Sequence, residues 1–296
     1  MSAVAAPAPT PAPGREARAA RRETLGQLFR SPTFLVGVVI VGFWIFCAFF
    51  GSKIAPYDPQ DQSFTPLLKP GAGHPFGTDA LGRDVLSRVL AGATDIMKVA
   101  PLAMLLGIVG GTAIGLTTGY FRGLADDAIS RVVDAWLALP AIVIAVTVLV
   151  ALGGSTATLI VVIGFIFMPI VSRTVRAAVL AERQLEYVQA ARLRGERAPY
   201  VMFAEILPNV MGPIVVESTV RLGYAIFTVA GLTFLGFGVQ PPSPDWSLQI
   251  SDGYGLLNDT AHQGNYWVVL FPGLAIASLV VGVNLIADGI SRVLRR

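Results

Sequence analysis

The sequence has little charge and few of the residues that bind metals or form disulfides. Only 14% of its 296 residues are charged, whereas soluble domains carry about 25%. Cys47 is the single cysteine, which excludes an intramolecular disulfide and a cysteine-based metal cluster. The two histidines, His74 and His262, lie far apart in the chain, so a structural zinc site is not expected.

The motifs of ATP-binding and hydrolytic enzymes are also missing. A P-loop requires a lysine directly after a glycine, and none of the three lysines, Lys53, Lys69 and Lys98, follows one. The H-E-x-x-H motif of zinc proteases does not occur. We therefore expect a non-catalytic chain that binds no cofactor and no metal.

What the sequence does contain is apolar residues in long runs. Hydrophobic residues make up 54% of the chain, which excludes overall disorder and indicates a membrane protein with several spans. The composition predicts an all-α fold with six transmembrane helices. They are expected at residues 32–50, 99–121, 210–239 and 266–287, and as two helices within 135–172 that are joined by a turn at 153–155.

The basic residues indicate how this bundle is oriented. Sixteen of the 22 lie in the N-terminal tail, in the loops after the second and fourth spans, and at the C-terminus. The loop 240–265 has none and holds three aspartates. The positive-inside rule therefore places both termini in the cytoplasm. The long loop 51–98 is the exception, since it holds five basic residues, but long loops weigh less in this rule.

The cytoplasmic loop between the fourth and fifth spans is predicted to form a helix–turn–helix. A short helix is expected over residues 185–194, with Gly195 in the positive-φ conformation that ends many helices. Pro199 suits the first turn of a second helix, which we expect to end at Pro208. So short a helix pair gains stability either by docking into a groove on a partner or by lying on the membrane as an amphipathic connector.

A motif in this loop resembles the coupling motif of binding-protein-dependent ABC importer permeases. The family pattern is E-A-A, three residues, Gly, nine residues, Ile, one residue and Leu-Pro. Here glutamine replaces the usual glutamate and Glu205 occupies the usual isoleucine position, with Ile206 beside it. The resemblance implies that these residues couple the chain to an ATPase: Gln189, Ala190, Ala191, Gly195, Leu207 and Pro208.

Three further stretches resemble the dipeptide/oligopeptide/nickel permeases, specifically their "C" subunit. They are residues 74–84, 232–242 and 271–289, and the resemblance extends over residues 21–296. It implies a type I ABC importer permease fold in the cytoplasmic membrane of a prokaryote. It also implies a heterodimer with a second permease, two ATPase subunits that bind ATP and Mg²⁺, and an extracytoplasmic substrate-binding protein.

On this basis we divide the chain into four segments. Residues 1–31 are expected to form a disordered basic tail that contacts membrane lipid and not nucleic acid. Residues 32–91 would hold the first span and an extracytoplasmic segment. Residues 92–289 would form the permease core, with coupling helices at about 183–208, and 290–296 a cytoplasmic end.

Two charged residues fall within the fifth predicted span. Glu217 and Arg221 are four residues apart, so they share one helix face. Either they line the substrate path and meet the charged ends of a peptide, or they form an ion pair that stabilises the span. In the second span, four glycines predict a close approach to another helix: Gly107, Gly110, Gly111 and Gly115.

The segments predicted outside the membrane carry two weaker signals. An apolar stripe at helical spacing (residues 81, 85, 86, 89 and 90) predicts a helix on the membrane surface or against a neighbouring span, with Arg83, Asp84, Ser87 and Arg88 facing elsewhere. The acidic loop 240–265 is either a docking surface for the binding protein or a cover over the outer mouth.

The expected function is therefore half of the translocation path of an ATP-driven importer, with di- or oligopeptides as the leading cargo. Nickel or another small cargo is the alternative within the family. Free Ni²⁺ favours histidine or carboxylate ligands, and the predicted spans contain no histidine. From another class, a proton-coupled carrier or a channel would require carboxylates within the membrane, and Glu217 is the only deep one.

Overall fold

The computed structural model describes residue 26, residues 28–258 and residues 264–294. Most of the predicted tail 1–31, His262 and the last two residues lie outside this part. The regular elements of the described residues are helices, without strands. In chain order these are α1 Pro32–Ile54, α2 Val85–Phe121, α3 Leu124–Leu137, α4 Ala141–Leu152, α5 Thr156–Glu182, α6 Glu186–Leu193, α7 Ala198–Phe234, α8 Trp246–Gly253 and α9 Trp267–Leu294.

Five helices are long and apolar enough to cross a membrane, namely α1, α2, α5, α7 and α9. The predicted third span is broken: α3 and α4 meet at an angle of 87° and count as a sixth span only together. Pro140 lies at this break, and a proline disfavours the helical conformation of the residue before it. The 12 residues of α4 reach only about 18 Å, which is less than the hydrocarbon core.

The turn predicted at residues 153–155 is confirmed. Gly153 has a φ of +86° and follows the last residue of α4. The Ser155 side chain then accepts a hydrogen bond from the Thr158 backbone N–H and caps α5. The apolar stretch 135–172 is thus divided where expected.

Helix α2 starts earlier than its apolar run suggested. Helix α2 begins at Val85 rather than at residue 99 and continues past Lys98 and Pro101. The segment boundary placed at residues 91–92 therefore falls inside α2, and the one at 289–290 falls inside α9. Asp84 sets the start of α2, because its carboxylate accepts a 2.8 Å hydrogen bond from the Ser87 backbone N–H.

The extracytoplasmic start of α2 carries buried charges. Arg83 donates from Nε to the Asp79 carboxylate at 2.6 Å, and Arg88, only 1% exposed, places its Nε 3.7 Å from the same group. The predicted stripe is thus only partly correct. Val85 and Val89 are buried, but Leu81 precedes the helix and is exposed. The Arg83–Asp79 pair lies within the segment between α1 and α2, and the contact of Asp79 with Arg88 joins this segment to α2.

Helices α2 and α5 form the closest helix pair, and glycines allow it. A Cβ atom on Gly111 would lie 2.7 Å from the Met168 carbonyl oxygen, and one on Gly115 would lie 2.5 Å from the Ser172 carbonyl oxygen. The predicted close approach is therefore confirmed, with α5 as the partner. Around this contact lies a continuous apolar core to which every membrane helix contributes.

The start of α8 is hydrogen-bonded to α2. Trp246 is fully buried, and its indole N–H donates to the Val89 carbonyl at 2.7 Å. Asp245 is also fully buried and caps α8 by accepting from the Ser247 and Leu248 backbone N–H groups. Burial, followed by the charge of Asp95, raises the pKa of Asp245 from 3.8 to about 6.

This pKa predicts how stability varies with pH. Because the folded state holds a proton that the unfolded chain releases, the contribution of Asp245 to stability falls as pH rises from roughly 4 to 6. Asp245→Asn keeps the capping oxygen and should raise the thermal unfolding midpoint at pH 7.5 while flattening its change across this window. Asp58→Asn, at an exposed carboxylate, is the control. If the unfolding midpoint of Asp245→Asn varied with pH as it does in the wild-type protein, the proposed effect of burying the Asp245 carboxyl would be contradicted.

Candidate functional site

The predicted coupling segment is a short helix with a well-defined end. Helix α6 spans Glu186–Leu193, close to the expected residues 185–194. Gly195 has a φ of +77°, its N–H donates to the Arg192 carbonyl, and the Glu196 N–H donates to the Ala191 carbonyl. This pair of bonds is a Schellman motif. An added Cβ at Gly195 would meet nothing within 4 Å, so the backbone conformation, and not space, calls for glycine here.

The two faces of α6 differ sharply. Val188 and Ala191 are fully buried against the rest of the chain. Gln189 and Ala190 are exposed, and Leu193, at 89% exposure, projects away from the bundle. The Gln189 side chain is not free, because its amide donates to the Gln184 carbonyl at 2.9 Å. Helix α6 therefore uses one face to pack on its own subunit and presents the other outward.

A hydrogen-bond network joins α6 to the two membrane helices beside it. Tyr187 donates to the Glu182 carboxylate at the end of α5 at 2.6 Å, and the Asn209 amide of α7 donates to the Tyr187 hydroxyl at 3.0 Å. Burial, followed by this bond to Glu182, raises the pKa of Tyr187 to about 12. Sequence reasoning missed these three residues because they are distributed over three helices. A displacement of α6 would pass directly to α5 and α7.

The second predicted coupling helix does not end at Pro208. A continuous helix runs over Ala198–Phe234, and a π-helical segment over Val201–Ile206 lies directly before Leu207 and Pro208. In it the Leu207 N–H donates to the Met202 carbonyl, five residues back. Such a widened turn accommodates a proline ring that supplies no N–H, so the helix continues into the membrane. The segment after Gly195 is thus the cytoplasmic end of α7.

The candidate path residues on α7 contact each other. The Arg221 Nε donates to the Glu217 carboxylate at 2.7 Å, and both side chains are partly buried. The Arg221 guanidinium also lies 5.5 Å from the Tyr224 ring centroid. The structure therefore contains the internal ion pair, while contact with a substrate stays a prediction.

The arrangement of long helices defines a class of membrane protein. It is similar to a chain in a solved structure of the MetNI methionine ABC transporter in an inward-facing conformation, with a TM-score of 0.56 and 19% identity. The match covers 71% of this chain and 97% of the other. The fold is that of a type I ABC importer permease.

Family comparisons give a closer assignment. Residues 111–296 match the family described as "binding-protein-dependent transport system inner membrane component", and residues 20–70 match the "N-terminal TM domain of oligopeptide transport permease C". The chain therefore belongs to the family of binding-protein-dependent inner membrane components. It is a non-catalytic, multi-pass permease subunit of an ABC importer in the inner membrane. In general, membership implies a partner permease, ATPases and a substrate-binding protein.

The curated relatives are similar over most of their length. The dipeptide transport system permease DppC of Escherichia coli K12 is 40% identical over 268 residues, which are 88% of each chain. DppC of Alkalihalophilus pseudofirmus is 36% identical over 274 residues, or 91% of this chain and 87% of the relative. The glutathione permease GsiD of Pectobacterium atrosepticum is 33% identical over 271 residues, or 91% and 88%.

Proposed function

We propose that this chain forms one half of a translocation path for di- and oligopeptides. The relatives named above support this cargo class, because two are dipeptide permeases and the third is named for glutathione, itself a peptide. A substrate-binding protein would deliver the peptide from outside. A second, homologous permease would complete the path. Because the chain belongs to this family, the alternative function as a secondary carrier or a channel is no longer supported.

The chain would receive mechanical work at α6. Two ATPase subunits would bind the ATP and Mg²⁺, and one of them would receive the exposed face of α6 in a groove on its surface. The observation that carries this assignment is the division of α6 into an outward face with Gln189, Ala190 and Leu193 and an inward face bonded to α5 and α7. A push on the outward face reaches the membrane helices through Tyr187. The turn after α6 and the start of α7 would hold α6 in a fixed position, through Gly195 in the turn and Leu207 and Pro208 in α7.

The test is uptake into vesicles that contain the chain with its neighbouring permease, ATPases and binding protein. We expect ATP-dependent uptake of labelled dipeptides and no uptake of Ni²⁺, either free or chelated. Uptake of nickel in place of peptides would contradict the proposed peptide cargo but not the assignment of the chain to an ABC importer. A chain that purifies without any ATPase subunit, under conditions where those subunits are folded, would reject the coupling role itself.

Exchanging the charges of Glu217 and Arg221 separates their two possible roles. Because these residues satisfy each other at 2.7 Å, we expect Glu217→Arg combined with Arg221→Glu to keep most of the uptake. Each single neutral variant, Glu217→Gln or Arg221→Gln, should lower uptake by leaving one partly buried charge unpaired. If the exchanged variant is folded and assembled but inactive towards peptides, the two residues contact the substrate instead.

A further inference from the structure

A group of arginines at the predicted cytoplasmic side has no acidic partner among the residues that the structure describes. Arg192 of α6 places its guanidinium carbon 4.6 Å from the ring centroid of Tyr120, near the end of α2. Its Nε and Nη2 atoms are buried and have no hydrogen-bond partner among the described residues, and the same holds for Nη1 of Arg183 at the end of α5. A buried charged donor without a partner is costly, so such groups normally have a ligand.

The charges in this group reinforce one another. The pKa of Arg183 is lowered by burial, and then by the neighbouring charges of Arg192 and Arg122. Within the described part of the chain, none of these three arginines forms an ion pair. Other arginines nearby do so, since Arg176 binds Asp126 at 2.7 Å and Arg194 lies 3.7 Å from Glu205. Arg183 and Arg192 thus hold buried nitrogens without partners, and Arg122 beside them is exposed. Such a concentration of positive charge favours binding of an anion.

The direction of Arg192 indicates where that anion would come from. Residues 188, 191 and 192 share the face of α6 that packs on its own subunit, whereas Leu193 projects from the opposite face. A carboxylate on a docked ATPase would approach the Leu193 side. The Arg192 guanidinium lies instead against Tyr120, near the end of α2, on the inward face of α6.

The surroundings of Arg122 suit a lipid. Arg122 follows the last residue of α2, with a φ of +55° that is rare for residues other than glycine, and the chain reverses there into α3. Phe121 and Leu124 on either side of it are exposed apolar residues, and Leu124 is 89% exposed. Basic side chains beside exposed apolar ones at a helix end are typical of the membrane interface, where they meet headgroup and acyl chain together.

We propose that Arg122, Arg183 and Arg192 form a binding site for the phosphate of an anionic phospholipid in the cytoplasmic leaflet. The planar guanidinium groups match the geometry of phosphate oxygens, and Tyr120 holds one of them in place by stacking. A lipid bound here joins the ends of α2 and α5 to α6. The attachment of α6 would then depend on the anionic lipid content of the membrane, whatever the cargo is.

The test uses the purified full chain, with the partner subunits that copurify, in an equimolar mixture of phosphatidylglycerol and phosphatidylcholine with identical acyl chains. Native mass spectrometry counts the lipids retained. We expect the wild-type chain to retain phosphatidylglycerol preferentially, and Arg183→Gln and Arg192→Gln each to lower that preference about fivefold, the usual contribution of one basic residue. Arg194→Gln, at an exposed arginine with acidic neighbours, should leave the preference unchanged.

Arg192→Lys serves as a folded reference, because it keeps the charge and loses the stacked, planar group. This variant should keep part of the preference for phosphatidylglycerol over phosphatidylcholine. Equal retention of both lipids by the wild-type chain would overturn the proposal, and so would an unchanged preference in both glutamine variants. Displacement of the lipid by millimolar inorganic phosphate alone would reassign the site to a small anion. Loss of the ATPase subunits in the variants, with lipid retention intact, would assign the arginines to a protein interface.

Discussion

Gly195→Asp is expected to abolish transport while the protein still folds and inserts. Gly195 holds a φ of +77° in the Schellman motif that ends α6, and an L-residue in that conformation costs about 1–2 kcal/mol. Helix α6 has only eight residues, so a cost of this size at its end is enough to loosen it. Aspartate also adds a negative charge on the proposed docking surface. Uptake and ATPase activity stimulated by the binding protein are the measurements.

Two companion substitutions separate geometry from charge. Asparagine has the shape of aspartate, and both tolerate positive φ better than most residues, so Gly195→Asn should retain part of the uptake and the further loss in Gly195→Asp measures the effect of the charge. Gly195→Val introduces no charge, yet its β-branched side chain suits this conformation poorly, and it should fail. Wild-type uptake and stimulated ATPase activity in both the aspartate and valine variants would show that α6 does not couple the ATPases to the membrane helices.

Gly115→Ala should destabilise the bundle more than the same change at Gly110. A Cβ on Gly115 would meet backbone or backbone-linked atoms of α5 at 2.5–2.9 Å, namely the Ser172 carbonyl, Val175 Cβ and the Arg176 nitrogen. These atoms cannot move without separating the two helices, so the overpacking should cost about 1–3 kcal/mol. A Cβ on Gly110 would meet the flexible thioether end of Met168, which can rotate away.

The measurement is the thermal unfolding midpoint of the purified protein in detergent. Gly115→Ala should lower it by several degrees, whereas Gly110→Ala should change it little, since alanine also favours a helix over glycine. Both positions lie on α2 and receive the same methyl group, so effects of helix propensity and of expression should be the same in the two variants. Equal midpoints for the two variants would contradict the backbone contact at Gly115.

Local sequence signals predicted the parts of this protein that depend on local chemistry. Hydropathy identified the five long spanning helices, the glycine spacing on α2 identified a close helix contact, and the position of Gly195 identified the end of α6. In each case the physical preference belongs to a few neighbouring residues. Pro208 shows where such reasoning fails: a proline normally ends a helix, but the widened turn before it allowed α7 to continue.

The sequence by itself determined that this protein is an α-helical membrane permease, with a cytoplasmic loop that resembles the coupling motif of its family. Only the tertiary structure decided which polar groups meet: Tyr187 with Glu182 and Asn209, and Arg83 and Arg88 around one carboxylate. It also brought together three arginines that have no acidic partner in the described part of the chain. Partners of this kind come from helices far apart in the chain. Their burial follows from how the helices pack, and neither hydropathy nor residue spacing contains that information.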